Sequence, residues 1–191
     1  MLEVRVVPNE ITDNAAISAC EKGSQVQWQL ALNSVRLMPD VRLVPNEITY
    51  SAAISSCGKG GQWQLALNLL SLMPAVRLVP NEITYIVAVS ACENGGQWQL
   101  ALSLLSLMPD VRVVPNVITY NAPISACKKA GQWQLALDLL SHMPAARVVP
   151  NEITYNAAIS ACEQSYEIER GLQLLWESKE RGGSLSVGLT E

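Results

Sequence analysis

The sequence is poor in the residue types from which catalytic and metal centres are built: 191 residues include a single histidine, and none of the five cysteines is paired as C-x-x-C. His142 ends an apolar segment at a position where related segments carry Leu72 and Leu107, and no Ser, Cys or carboxylate constellation accompanies it. No phosphate-binding glycine loop is present either. The expectation is a chain that is not an enzyme, with no metal, no cofactor and no small-molecule substrate. Long apolar runs are missing as well. Nothing reaches the roughly 18 consecutive apolar residues of a membrane span, and the opening MLEVRVVPNE lacks the basic segment and apolar core of a secretory leader. No membrane partner and no targeting peptide are therefore expected.

Charge is scarce and leans acidic, with a formal net charge of −4. From Glu163 onward there are six acidic and three basic residues, so the chain before that point holds eleven acidic against ten basic. That balance leaves room for a basic stripe, although phosphate recognition normally asks for a more basic surface.

What is abundant is repetition. The string VPNEITY recurs with small changes after Val7, Val44, Val79, Val114 and Val149. Cys20, Cys57, Cys92, Cys127 and Cys162 keep the same beat, 37, 35, 35 and 35 residues apart. Equivalent positions on stacked helices lie roughly 8–10 Å apart, beyond the roughly 7 Å Cα separation that a disulfide tolerates, so the cysteines read as small buried apolar groups. The units run 10–46, 47–81, 82–116 and 117–151, followed by a divergent 152–186 and a tail 187–191. Residues 1–9 align with the end of a unit, which reads as a truncated repeat and a fragment of a longer array, the alternative being a short protein with a frayed start.

Within a unit, Pro45-Asn46-Glu47 is a helix start: the proline closes the preceding loop, Asn46 caps free N–H groups and Glu47 meets the positive end of the helix dipole. Tyr50, Ile54 and Cys57 then form one apolar stripe, and Gly60-Gly61 ends the helix. A second helix, Gln62 to about Met73, is apolar around most of its circumference until Pro74 stops it. Such hairpins cannot hide their apolar faces alone and must stack. The predicted fold is all-α, an α-solenoid of helix-turn-helix repeats of about 35 residues wound as a right-handed superhelix.

The run Asn116-Val117-Ile118-Thr119-Tyr120-Asn121-Ala122-Pro123-Ile124-Ser125-Ala126-Cys127-Lys128-Lys129-Ala130-Gly131, followed by Leu135-Ala136-Leu137-Asp138-Leu139-Leu140 and Met143, resembles the two helices of a pentatricopeptide repeat. Four full copies and a divergent fifth carry the pattern. The resemblance implies single-stranded RNA binding, one base per repeat, in organellar (chloroplast or mitochondrial) RNA processing, stability or editing, with RNA-processing proteins as further partners. It places base reading on the residue after the Tyr and on the last residue of the repeat: Asn14 with Asn46, Ser51 with Asn81, Ile86 with Asn116, Asn121 with Asn151, and Asn156 without a matching partner. By the same resemblance an Asn/Asn pair favours a pyrimidine and a Ser/Asn pair favours adenine, while Ile86 has no hydrogen-bonding group. The implied tract is pyrimidine, adenine, unspecified, pyrimidine. Ile11, Ile48, Ile83, Ile118 and Ile153 fall where the family sandwiches bases, and Lys22, Lys59 and Lys129 where a lysine reaches phosphate.

Each assignment has a local competitor. The Asn after each proline is also a good N-cap, the Ile residues also suit a core, and Arg42, Arg77, Arg112 and Arg147 suit solvated loops as well as phosphate. Trp28, Trp63, Trp98 and Trp133 follow the apolar stripe and read as packing residues. Two departures from the family stand out: arginine replaces a usual glycine in the loop after the second helix, and Pro123, inside a first helix, should kink it. The acidic balance and Ile86 suit the alternative, a protein-binding scaffold without RNA.

Overall fold

A computed structural model describes residues 28–38 and 44–180. Among them are nine α-helices and no strand: α1 (Trp28–Leu37), α2 (Glu47–Lys59), α3 (Trp63–Leu72), α4 (Glu82–Asn94), α5 (Trp98–Leu107), α6 (Val117–Lys129), α7 (Trp133–His142), α8 (Glu152–Gln164) and α9 (Ile168–Glu180). The chain divides into two compact units, one ending at Gly95 and one beginning at Gly96.

Every helix among α2, α4, α6 and α8 starts the same way because the same residues start it. Asn46, Asn81, Asn116 and Asn151 are extended, and the Oδ1 of each accepts from the N–H of the threonine three residues on, at 3.0 Å in all four. The threonine returns the favour, its Oγ1 accepting from the Asn backbone N–H at 2.7–3.3 Å. This reciprocal cap is worth about 1 kcal/mol per helix. The asparagine half was legible in the sequence, whereas the threonine half was not anticipated.

The helices also stop alike. Gly61, Gly96 and Gly131 take a left-handed backbone with φ of 72°, 67° and 68°, where a Cβ would be strained. In the fifth copy Tyr166 takes that place with φ 61°. A 3₁₀ turn at Pro74–Val76 closes α3, and Arg77 then adopts φ 62°, as do Arg112 (61°) and Arg147 (58°). These are the positions where arginine stands in place of the family's glycine.

In the first unit α2 packs alongside α4, α3 lies against both, and α1 covers α2. In the second, α6 packs alongside α8, α7 lies against both, α5 rests on α6 and α9 on α8. The predicted stripe of Tyr50, Ile54 and Cys57 is buried, as are Met73, Met108 and Met143 at the ends of the second helices. Cys57, Cys92, Cys127 and Cys162 are buried and free, and burial raises the first three thiols to about 11 for Cys57, Cys92 and Cys127. Close approach demands small residues: a Cβ on Gly58 would sit 2.7 Å from that of Ala91, and one on Gly95 would collide with the Trp63 side chain. Pro123 is buried in α6 and removes one backbone donor, yet α6 keeps the thirteen residues of its sister helices.

Candidate nucleic-acid interface

Among the described residues, the predicted base readers fall at the fifth position of the first helices and on the cap before them, so the geometry of the caps is also the geometry of the site. In the first unit Ser51 and Asn81 are brought together. The Ser51 hydroxyl lies 2.9 Å from Thr84 Oγ1, and Thr84 Oγ1 donates to Asn81 Oδ1 at 3.0 Å. Ser51 is only 7% exposed, more covered than a freely presented polar side chain, because α2 and α4 pack side by side at this level. It nonetheless lines a cavity of ≈160 Å³ together with Asn81, Ile48, Ile83, Glu47, Ala52 and Val87.

In the second unit the equivalent pair is joined directly. Asn121 Nδ2 donates to Asn151 Oδ1 at 3.4 Å, and Thr154 Oγ1 donates to Asn121 Oδ1 at 2.6 Å. Thr154 also holds Asn151 Oδ1, at 2.9 Å from its hydroxyl and 3.0 Å from its N–H. Asn151 Oδ1 is filled by these contacts, whereas Asn121 Oδ1 accepts a single bond, so the pair can offer a ligand a lone pair of Asn121 as well as amide N–H groups.

The isoleucines resolve one of the two readings open in the sequence. Ile48, Ile83, Ile118 and Ile153 are 63%, 61%, 52% and 63% exposed, so none belongs to the core. Each sits one residue before a fully buried threonine, at the first turn of its helix. Asn46 and Asn116 are half-buried, Asn156 and Ile86 likewise, and Asn81 and Asn151 are exposed. Asn14, Ile11 and Lys22 lie outside the described residues. Lys59 and Lys129 are exposed at the ends of α2 and α6. At the corresponding place on α4, Asn94 donates to the Gly58 carbonyl at 3.4 Å instead. Each of the four cap asparagines therefore fills the capping role weighed for it, its Oδ1 accepting from the first turn of the helix that follows.

A larger groove of ≈740 Å³ runs along α5 and α7 in the second unit, lined mainly by leucine, valine and proline with Arg112 and His142 at its edge. None of the predicted base-reading residues lines it. The His142 ring is exposed and its Nδ1 lies 2.6 Å from the Asp138 carbonyl of its own helix. Among the described residues no group of three His, Cys, Asp or Glu is placed to hold a metal ion, and no helix is long and apolar enough to cross a membrane.

Paired helices of fixed period, capped alike and stacked through their apolar faces, define a helical-repeat protein. Pentatricopeptide repeat models match residues 48–76 and 153–183 (PPR repeat), 68–129 (pentatricopeptide repeat domain) and 115–164 (PPR repeat family), and together they run unbroken from 48 to 183. The chain belongs to the pentatricopeptide repeat family. No curated protein matches it closely enough to count as a relative. Among solved structures it is similar to the maize pentatricopeptide repeat protein PPR10, at 23% identity and a TM-score of 0.74 over 94% of this chain and 26% of that one. It is also similar to PPR10 in complex with an 18-nt psaJ RNA element, at 20% identity and a TM-score of 0.74 over 93% of this chain and 26% of that one. A third likeness is to the PPR domain of Arabidopsis thaliana protein-only RNase P 1 in complex with tRNA, at 15% identity and a TM-score of 0.77 over 93% of each chain. The chain thus spans about a quarter of the length of PPR10. The α-solenoid class expected from the sequence is the fold of these structures.

Proposed function

We propose that this chain binds single-stranded RNA through the cap-proximal surface of its first helices, one nucleotide per repeat. The observation that carries the proposal is the cavity in the first unit: two exposed isoleucines, Ile48 and Ile83, flank an opening whose lining includes the polar side chains of Ser51 and Asn81. Apolar walls with a few placed polar groups are what an unstacked base needs, since its faces want dispersion contact and its edge wants hydrogen bonds. Two of the similar structures, PPR10 and the PPR domain of the protein-only RNase P, are complexes with RNA. The pairs Asn14/Asn46, Ser51/Asn81 and Asn121/Asn151 act as base readers, and Asn116 and Asn156 belong to repeats with an incomplete reading pair. The tract is pyrimidine, adenine, any base, pyrimidine.

The isoleucines, Ile11 included, sandwich bases, and Lys22, Lys59 and Lys129 contact phosphate. The repeats 10–46, 47–81, 82–116, 117–151 and 152–186 are the units of recognition. On this reading the chain recognises RNA without cutting it, and its role lies in organellar RNA processing, stability or editing alongside RNA-processing proteins.

Titration with an unstructured RNA containing the tract, at two salt concentrations, tests the proposal. Binding that weakens with salt and with base changes at the specified positions is expected. Indifference to RNA would instead favour the protein-binding scaffold, the reading that the net charge of −4 supports.

A further inference from the structure

The threonine that caps α4 has a second consequence that follows from counting protons. Thr84 Oγ1 carries one hydrogen and two lone pairs. Its lone pairs face the Asn81 backbone N–H at 3.3 Å and the Ser51 hydroxyl at 2.9 Å, and its hydrogen faces Asn81 Oδ1 at 3.0 Å. Asn81 Oδ1 cannot donate, and its orientation is set by the Thr84 N–H that it accepts at 3.0 Å. The Thr84 hydrogen is taken by Asn81 Oδ1, which cannot donate in return, whereas Ser51 can supply the hydrogen of its own contact. It follows that the hydrogen in the Ser51–Thr84 bond comes from Ser51.

We propose that Thr84 is a positioning residue that sets the donor and acceptor pattern of the Ser51/Asn81 site, and through it the choice of base class. With its proton committed to Thr84, Ser51 has only lone pairs to offer the cavity. With its oxygen committed to Thr84, Asn81 has only N–H groups. With the Ser51 acceptor facing the exocyclic group and the Asn81 donor facing the ring nitrogen, the orientation that the adenine assignment implies, the pair complements an amino group beside an unprotonated ring nitrogen, as adenine and cytosine carry. Guanine and uracil carry the opposite pattern, a carbonyl beside a protonated ring nitrogen. A serine alone would not discriminate, since a free hydroxyl rotates to suit either pattern. The inference rests on the base-reading proposal above, but it concerns a residue that does not itself touch the base.

The test compares the wild-type chain with T84V and T84S, using four RNAs that differ only at the nucleotide assigned to this repeat. Wild type is expected to prefer the amino bases over the keto bases by about tenfold, the scale of one well-placed hydrogen-bond pair. T84V frees the Ser51 proton and should bring that preference to about twofold or less, chiefly by tightening binding to guanine and uracil, whereas T84S should restore it. A T84V variant that keeps the preference overturns the role of Thr84 while leaving base reading intact. A wild type with no preference at this nucleotide overturns the base-reading proposal and this inference with it. Should T84V fail to fold, hydroxyl-proton exchange in the wild type is the second measurement. A slowly exchanging Ser51 hydroxyl proton, assigned by its loss in S51A, is expected, and rapid exchange overturns the proposal.

Discussion

Ser56 shows how a repeat exposes its own exceptions. Among the described residues its hydroxyl is the buried side-chain oxygen without a hydrogen-bond partner. The equivalent positions in the following copies are Ala91, Ala126 and Ala161, all buried. A buried donor with nothing to bond costs about 1–3 kcal/mol against a site of the same shape without it. S56A is therefore expected to stabilise the chain by about 1 kcal/mol, seen as a higher urea midpoint with an unchanged m-value. The buried thiols act in the opposite sense at high pH. Burial raises Cys57, Cys92 and Cys127 from an ordinary value of 9.0 to about 11, so between those limits the unfolded chain releases protons that the folded chain retains. That contribution to stability is complete below pH 9.0 and is lost as pH rises toward about 11. Tyr50, Tyr85 and Tyr120, also raised by burial, add to the loss at the alkaline end. Urea melts at pH 7 and pH 10.5 should show the fall, and a C57A/C92A/C127A variant should show a smaller one.

At the scale of the element, the loops after the second helices hold stored strain. Arg77 is exposed at φ 62° and ψ 25°, and its N–H bonds back to the Pro74 carbonyl at 3.0 Å, so the turn requires the left-handed conformation whatever residue occupies it. A non-glycine residue there costs about 1–2 kcal/mol relative to its preferred region. R77G also loosens the unfolded chain, which offsets part of the gain. A net stabilisation of about 1 kcal/mol is expected from thermal or urea melts, with R112G and R147G behaving alike. The caps make the converse point. Asn46, Asn81, Asn116 and Asn151 were readable as helix starts from a proline, an asparagine and an acidic or apolar residue in sequence, because a cap is a local bond spanning three residues. Pro123 was expected to kink its helix by deleting one backbone donor, and that lost donor does not shorten α6, which keeps thirteen residues.

At the scale of the whole molecule, the proposed RNA binding by a chain of net charge −4 is expected to use few phosphate contacts. Three lysines, Lys22, Lys59 and Lys129, set an expected slope of log K against log salt of about −2, given about 0.7 for each single-strand phosphate neutralised. K59A is expected to lower the affinity and to reduce that slope by about 0.7, uniformly across RNA sequences. A slope near −5 would point to phosphate contacts from other residues, the loop arginines first among them. Base substitutions in the RNA, by contrast, should change the affinity and leave the slope alone.

Sequence alone determined the period, the paired helices, the caps and the need to stack, because each follows from bonds within a few residues or from apolar faces that must be covered. It also marked Ile48, Ile83, Ile118 and Ile153 as a matched set, but only the packed helices showed that these lie at the surface and outside the core. The linkage from Ser51 to Thr84, and from Asn121 to Thr154, was decided by tertiary structure alone. Those partners are 33 residues apart, and nothing in either local sequence requires them to meet. They meet because successive first helices lie side by side, which places the start of one helix beside the second turn of the one before it.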